Sequence, residues 1–409
     1  MKNNILITII LFLTFSVNAQ SLEDYLKEAT KNSPELKSKN YSYLSAVEKI
    51  NEVGSLPNTT IKAGYFVQEA ETRVGAQKAK LSVSQMMPWF GTLEAKKESA
   101  SFMSDAKLNS IDLAKRKLDL NVKTSFYQLY ELKETSSILK ENLTILRTLE
   151  KLSLNELENN RSSMVDVLKI KMEINSLNDK LSTVLEKINA KKIGFNLLLN
   201  RDENLAINIL DTLIIREIDH LWDKNAIQQN PKLLQLDNLN SALKKSELAT
   251  KKAGLPTVGI GLDYVFVENR AVENLLDNGK DIVMPMVTLS VPLFSKKFSS
   301  KQKQLKLEQK AIETTKEETT NQLLSLYEKT MANLTNAKVS VKTQSANIDQ
   351  ANQAEKVLMA AYQTAKMDFE QLLVIQQLKL KFQLKKINAL TKYALQKSKL
   401  EFLTKDDKK

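Results

Sequence analysis

Few side chains in this sequence could do chemistry. Met86 and Met87 lie in one short stretch, and Met284 and Met286 in another. Thioethers are soft ligands suited to Cu(I); unbranched methionines also fill irregular packing. The sequence leaves both readings open, and packing is the simpler. The only histidine is His220, and there are no cysteines. Disulfides, thiol chemistry and a metal site built from several histidines are therefore excluded. His220 sits in a connecting segment, where a surface or packing role is the simpler reading. Carboxylate pairs such as Glu317-Glu318 read as solvated helix faces, and the run from Gly259 to Tyr264 as close-packed strand rather than a phosphate loop. These residues suggest no catalytic set, no cofactor and no metal centre.

Aromatic residues form the second group. Trp89 and Phe90 follow Pro88; Phe294 and Phe298 follow Pro292. Each set stands where a strand-like run gives way to a helical one, so their amphipathic rings suit a membrane-interface belt. The net charge of +12 is spread along the whole chain and aromatics are only 6%. Nucleic-acid binders concentrate charge and interleave aromatics, so a nucleic-acid partner is not expected.

The elements that position these residues are marked by glycine and proline. Eight of the nine glycines lie in or beside two stretches, Pro57–Thr92 and Pro256–Lys296. Each holds two runs of about ten residues rich in Val, Ile, Thr and aromatics, joined by a polar loop, which is the strand–loop–strand signal. Ten residues is also about the length of a tilted strand crossing a bilayer. Prolines pair as Pro34 with Pro231, Pro57 with Pro256 and Pro88 with Pro292; only Pro285 lacks a counterpart. Between Pro88 and Pro231, and after Pro292, there is none. Proline and glycine interrupt helices, so the long gaps predict long helices.

The expected fold is mostly α with a small β part, built as an internal duplication. Residues 1–19 read as a signal peptide: Lys2, an apolar run from Ile5 to Phe15, and Val17-Asn18-Ala19 as the cleavage site. The first repeat is 20–199, with a β-hairpin at 57–90 and long helices at 92–157 and 164–199. A connecting segment follows at 200–222. The second repeat is 223–409, with a hairpin at 256–293 and helices at 296–363 and 368–403. Ser33-Pro34 and Asn230-Pro231 read as helix starts. Leu108, Ile111, Leu118, Val122, Leu129, Leu132, Leu139, Leu143 and Leu146 follow a coiled-coil heptad, broken by Lys115, Ser125 and Ser136. Helix 92–157 would be about 98 Å long, so its partner must be two shorter helices end to end, in a rod with strands at one tip. Four strands leave open edges, which lipid does not tolerate; closure therefore needs several chains.

These features together resemble the TolC family of outer-membrane efflux proteins, over essentially the whole mature chain. Ser84 to Thr92, with Pro88-Trp89-Phe90-Gly91, is similar to the family's junction into its long helix; Tyr362 to Gln376 is similar to its Tyr-x-x-Gly turn and returning helix. The turn glycine is Ala365 here, with Asn160 as its counterpart in the first repeat. The resemblance implies a homotrimeric α/β barrel channel in the cell outer membrane of a Gram-negative bacterium, reaching into the periplasm. It would be a passive duct for small molecules or metal ions. Its implied partners are a periplasmic adaptor (membrane fusion) protein, an inner-membrane pump of the RND type, and outer-membrane lipid. Gate and adaptor-docking turns would carry Asn160, Met164, Asp166, Tyr362, Ala365, Met367, Asp368, Glu370 and Gln371. Two aspartates that ring the mouth in well-studied members align with Gln371 and Val374, and a latch arginine with Met367; Asp368 and Glu370 lie nearby. Two alternatives stay open: a type I protein-secretion duct, and a periplasmic coiled-coil adaptor or scaffold without a pore. The exported substrate is not legible.

Overall fold

The computed structural model describes residues 21–159, 163–209, 213, 215, 222–272, 274–363 and 369–404. The expected signal peptide and His220 lie outside them, as do Asn160, Ala365, Met367 and Asp368. The elements run α1 (Leu22–Asn32), α2 (Pro34–Gly54), β1 (Thr60–Thr72), β2 (Gly75–Met87), α3 (Thr92–Glu158), α4 (Met164–Leu198), a 3-10 turn (Lys224–Gln229), α5 (Pro231–Ala253), β3 (Thr257–Glu268), β4 (Ile282–Ser290), α6 (Lys297–Gln363) and α7 (Phe369–Thr404). Helices α2 and α5 start where expected. Pro34 and Pro231 occupy first helical positions, where the missing N–H costs nothing. The Asn230 side chain accepts a bond from the Lys232 amide at 3.0 Å.

Compact packing divides the chain into two units, each drawing on both halves of the sequence; the cuts fall within α3 and α6. The described residues of the first unit fall within Met1–Pro34, Lys117–Leu221 and Glu328–Phe402. Its core joins Leu139, Leu143, Leu146 and Leu149 of α3 to Ile170, Ile174 and Leu177 of α4, and to Tyr362, Phe369, Leu372, Leu373 and Leu380 of α6 and α7. Full burial of one such side chain stabilises by roughly 1.5–3 kcal/mol. Helix α1 is held by Tyr25, fully buried, whose ring meets Phe195 edge-on at 5.2 Å and lies 5.1 Å from the Arg201 guanidinium.

The second unit comprises Glu35–Arg116, Trp222–Tyr327 and the described residues after Phe402. Here the heptad reading needs correction. Leu108 is exposed and Ile111 only half-buried, while Ala95, Ala106 and Ala114 of α3 and Ala242 and Ala249 of α5 are buried. Small side chains let helix backbones approach closely, so Ser99 Oγ reaches the Ala242 carbonyl at 2.8 Å. Of the polar heptad positions, Lys115 is exposed, Ser125 half-buried and Ser136 buried. Helix α2 buries no residue.

Both hairpins join one antiparallel sheet, in the order β1-β2-β3-β4. Among the described residues β1 and β4 pair along one side only, leaving two open edges. Pro285, the proline without a counterpart, lies on the edge strand β4, where a missing N–H is tolerated. The first hairpin corrects the expected polar loop: Glu69 and Glu71 belong to β1, and Arg73-Val74 alone make the turn. Gly75, at φ +141°, permits that tight reversal, and Lys78 pairs with both Glu69 and Glu268 across the ladder.

Candidate functional site

Strand side chains alternate between faces, so the register sorts the sheet. One face carries the rows Ile61–Val83–Leu262–Pro285, Ala63–Leu81–Tyr264–Val283, Tyr65–Ala79–Phe266, Gln85–Ile260–Val287 and Met87–Val258–Leu289. The opposite face carries Lys62–Ser82–Asp263–Met284, Gly64–Lys80–Val265–Ile282, Thr60–Ser84–Gly261–Met286 and Met86–Gly259–Thr288. The first face is almost wholly apolar and stands open: Ile61 is 68% and Val287 79% exposed, with Tyr65, Leu262 and Leu289 also exposed. Contiguous bare apolar surface on this scale is unusual on soluble monomers and marks a partner or a membrane. The second face is the more polar, carrying Thr60, Lys62, Lys80, Ser82, Ser84 and Thr288, and fully buried Asp263 pairs there with Lys80. The signal was present in Lys80-Leu81-Ser82-Val83-Ser84, which alternates with period two.

At one end of the sheet, β2 and β4 run out towards α3 and α6 through the aromatic segments. The rings of Trp89 and Phe90 meet edge-on at 6.2 Å, with Phe90 exposed. Phe294 projects wholly free, at 104% exposure, from a backbone with φ +60°. Phe298 is held differently. A Cβ added to Gly254 would stand 3.2 Å from its Cβ and Cγ, and the Lys297 ammonium lies 5.8 Å from its ring. At the other end, Arg270 bridges to Glu71 and to the Thr72 carbonyl, each at 2.7 Å.

The helix turns were the other expected site. Among their described residues, Ser163 caps α4 in a reciprocal box: its hydroxyl accepts from the Asp166 amide at 3.2 Å and its amide donates to the Asp166 carboxylate at 3.2 Å. Met164 is exposed, and with Leu168 and Met172 it forms an exposed apolar stripe at helical spacing. Tyr362 is buried against Phe369 with ring centres 5.6 Å apart. Glu370 meets Lys169 at 3.3 Å, and Gln377 meets Glu173 at 3.1 Å, joining the starts of α4 and α7. Gln371 and Val374 are exposed. Neither the cross-helix pairs nor the stripe was anticipated, though Met164, Leu168 and Met172 at four-residue intervals offered a sign of the stripe.

Among the described residues no helix is long and apolar enough to cross a membrane, and no group of three or more His, Asp or Glu gathers as metal ligands would. No family model and no curated protein sequence matches the chain. Solved structures do. The outer membrane protein VceC of Vibrio cholerae superimposes with a TM-score of 0.76 at 14% identity, over 94% of this chain and 95% of that one. The Campylobacter jejuni CmeC outer membrane channel gives 0.77 at 13%, over 94% and 85%. CusC, described in terms of transmembrane channel formation, gives 0.79 at 12%, over 94% and 91%. The chain has the fold of these outer-membrane channels. Within that fold the open-edged, two-faced sheet and the bare aromatic segments fall in one unit, and the helix turns in the other.

Proposed function

We propose that the chain is one subunit of a duct through the outer membrane of a Gram-negative bacterium, a passive conduit for efflux rather than an enzyme. One observation carries this reading: a sheet with one bare apolar face, one polar face and two unpaired edges. Hydrocarbon accepts the apolar face, but it does not accept unpaired backbone groups. Closure follows if β4 of one chain pairs with β1 of the next. Three chains would supply twelve strands, enough to enclose a water-filled channel lined by the polar face. Helix α2, no residue of which is fully buried in the single chain, then has surface to pack on a neighbouring copy.

Trp89, Phe90 and Phe294 would lie at the membrane interface on the helix side of the barrel. The turns would dock a periplasmic adaptor, which in turn meets an inner-membrane pump of the RND type. The exposed Met164–Leu168–Met172 stripe suits a helical partner, since apolar residues at this spacing are what an amphipathic helix covers. The family resemblance in the sequence and the likeness to channel structures both support this assignment.

The test is the mass of the particle that detergent extracts from purified outer membranes, followed by its conductance in a planar bilayer. Three chains per particle and a steady ionic current are expected. A monomer in the soluble periplasmic fraction would overturn the duct in favour of a scaffold without a pore.

A further inference from the structure

The polar face of the sheet contains an arrangement that a plain water-lined wall does not need. On β3, Gly259 and Gly261 leave two adjacent same-face positions without side chains. Methionines from the strands on either side reach the gaps, Met86 with its sulfur and Met286 with its methyl group. A Cβ at Gly259 would stand 2.4 Å from Met86 Sδ and 3.3 Å from Thr288 Cβ. A Cβ at Gly261 would stand 3.5 Å from Met286 Cε and 3.3 Å from Ser84 Cβ. Met86 therefore reaches in from β2 and Met286 from β4, towards positions two residues apart on the strand between them. That separation is about 7 Å, which unbranched side chains with three rotatable bonds can close. Met284 stands on the same face one row beyond Met286, opposite Asp263.

The surroundings argue against simple apolar filling. Met87, one residue from Met86, points to the opposite face and lies among Val258 and Leu289. Met86 and Met286 instead keep company with Ser84 and Thr288. The nearby carboxylate, Asp263, is already paired with Lys80, so the thioethers form a neutral donor set. Neutral sulfur donors favour soft monovalent cations over Mg2+, Ca2+ or Zn2+, which prefer oxygen, nitrogen or thiolate.

We propose that Met86 and Met286, assisted by Met284, form a binding site for Cu(I) or Ag(I) on the polar face of the sheet. The proposal rests on reading that face as the channel wall, and it names soft monovalent metal ions as one class of cargo. Thioethers without a formal charge hold such an ion weakly. That suits passage, because a conducting site must bind well enough to admit an ion and loosely enough to release it.

The experiment uses the full chain, purified in detergent and labelled with 13C at the methionine methyls, titrated with silver nitrate in chloride-free buffer. M86L and M286L assign the two signals; leucine and methionine are close in volume, so folding should survive. In the wild type, the Met86 and Met286 methyls are expected to shift with added Ag(I). M86L+M286L should weaken the response at Met284 at least tenfold, while M87L leaves all of it intact. Unmoved Met86 and Met286 signals would overturn the site, as would equal silver affinity in wild type and double variant. If the double variant does not fold, the wild-type shifts and the single variants decide. Conductance without silver tests the duct separately: a conducting channel blind to silver loses the site and keeps the duct. Silver binding by a particle that does not conduct keeps the site and loses the duct.

Discussion

Gly75 occupies a backbone region, φ +141°, that side chains rarely adopt, and a Cβ there would stand 1.8 Å from the Glu268 carbonyl oxygen. Backbone atoms cannot swing aside. Gly75→Ala is therefore expected to cost upwards of the ~1–3 kcal/mol typical of such strain, and to lower the yield of protein in the outer membrane. Gly91, at φ +73°, is the comparison: its added Cβ would meet the end of the flexible Lys252 side chain, the ammonium nearest, and no backbone atom among its nearest neighbours. Gly91→Ala should lose visibly less, and equal losses would sink the backbone-clash explanation. A pH effect belongs at this scale too. The Ser21 amide and hydroxyl both donate to the Asp24 carboxylate, holding its pKa below the usual 3.8. A depressed carboxylate stabilises the fold above its unfolded pKa, and that contribution fades as pH falls through the folded value. Amide-exchange protection of Tyr25 to Glu28, corrected for intrinsic rates, should fall on acidification below about pH 4. In Asp24→Asn it should be lower throughout and flat with pH.

At the scale of elements, the long helices depend on buried leucines rather than on local propensity. Leu177 is fully buried in the core shared by α3, α4, α6 and α7. Leu177→Ala should cost about 2–5 kcal/mol, read as a lower thermal midpoint; an unchanged midpoint would mean that this core does not carry the first unit. Helix extents were largely legible: a proline-free run from Leu93 to Leu157 was expected, and α3 runs Thr92–Glu158. What packs where α3 nears the sheet was not. A heptad scan ranks Leu108 above Ala106, yet Ala106 is the buried one and Leu108 is exposed. The Lys169–Glu370 pair is exposed and worth about 0–1 kcal/mol to stability. Its interest lies in tying α4 to α7 beside the turns. Glu370→Lys should therefore change gating more than melting, and an identical current–voltage curve would remove this pair from the gate.

The whole molecule is organised by the two faces of its sheet. Ile260→Lys would put a charge on the apolar face, at a cost of about 2–4 kcal/mol if that position sits near the bilayer midplane. Thr60→Lys adds the same charge to the polar face. The first should cut the amount of assembled protein recovered from outer membranes, and the second should leave it near wild type. The reverse ranking would mean that the faces are assigned the wrong way round.

By itself the sequence determined where the long helices begin and end, since proline and glycine act through their own backbone restrictions and caps act within one turn; the ends of the first hairpin's strands it did not determine. It also determined, through the resemblance it carries, which fold to expect. The tertiary structure decided that the two hairpins form a single sheet. It also decided that Ala rather than Leu is buried near that sheet, that Glu370 finds Lys169, and that Met86 and Met286 lean towards adjacent glycines. Each of these is a contact between residues far apart in the chain, fixed by register and close approach, which no local rule encodes.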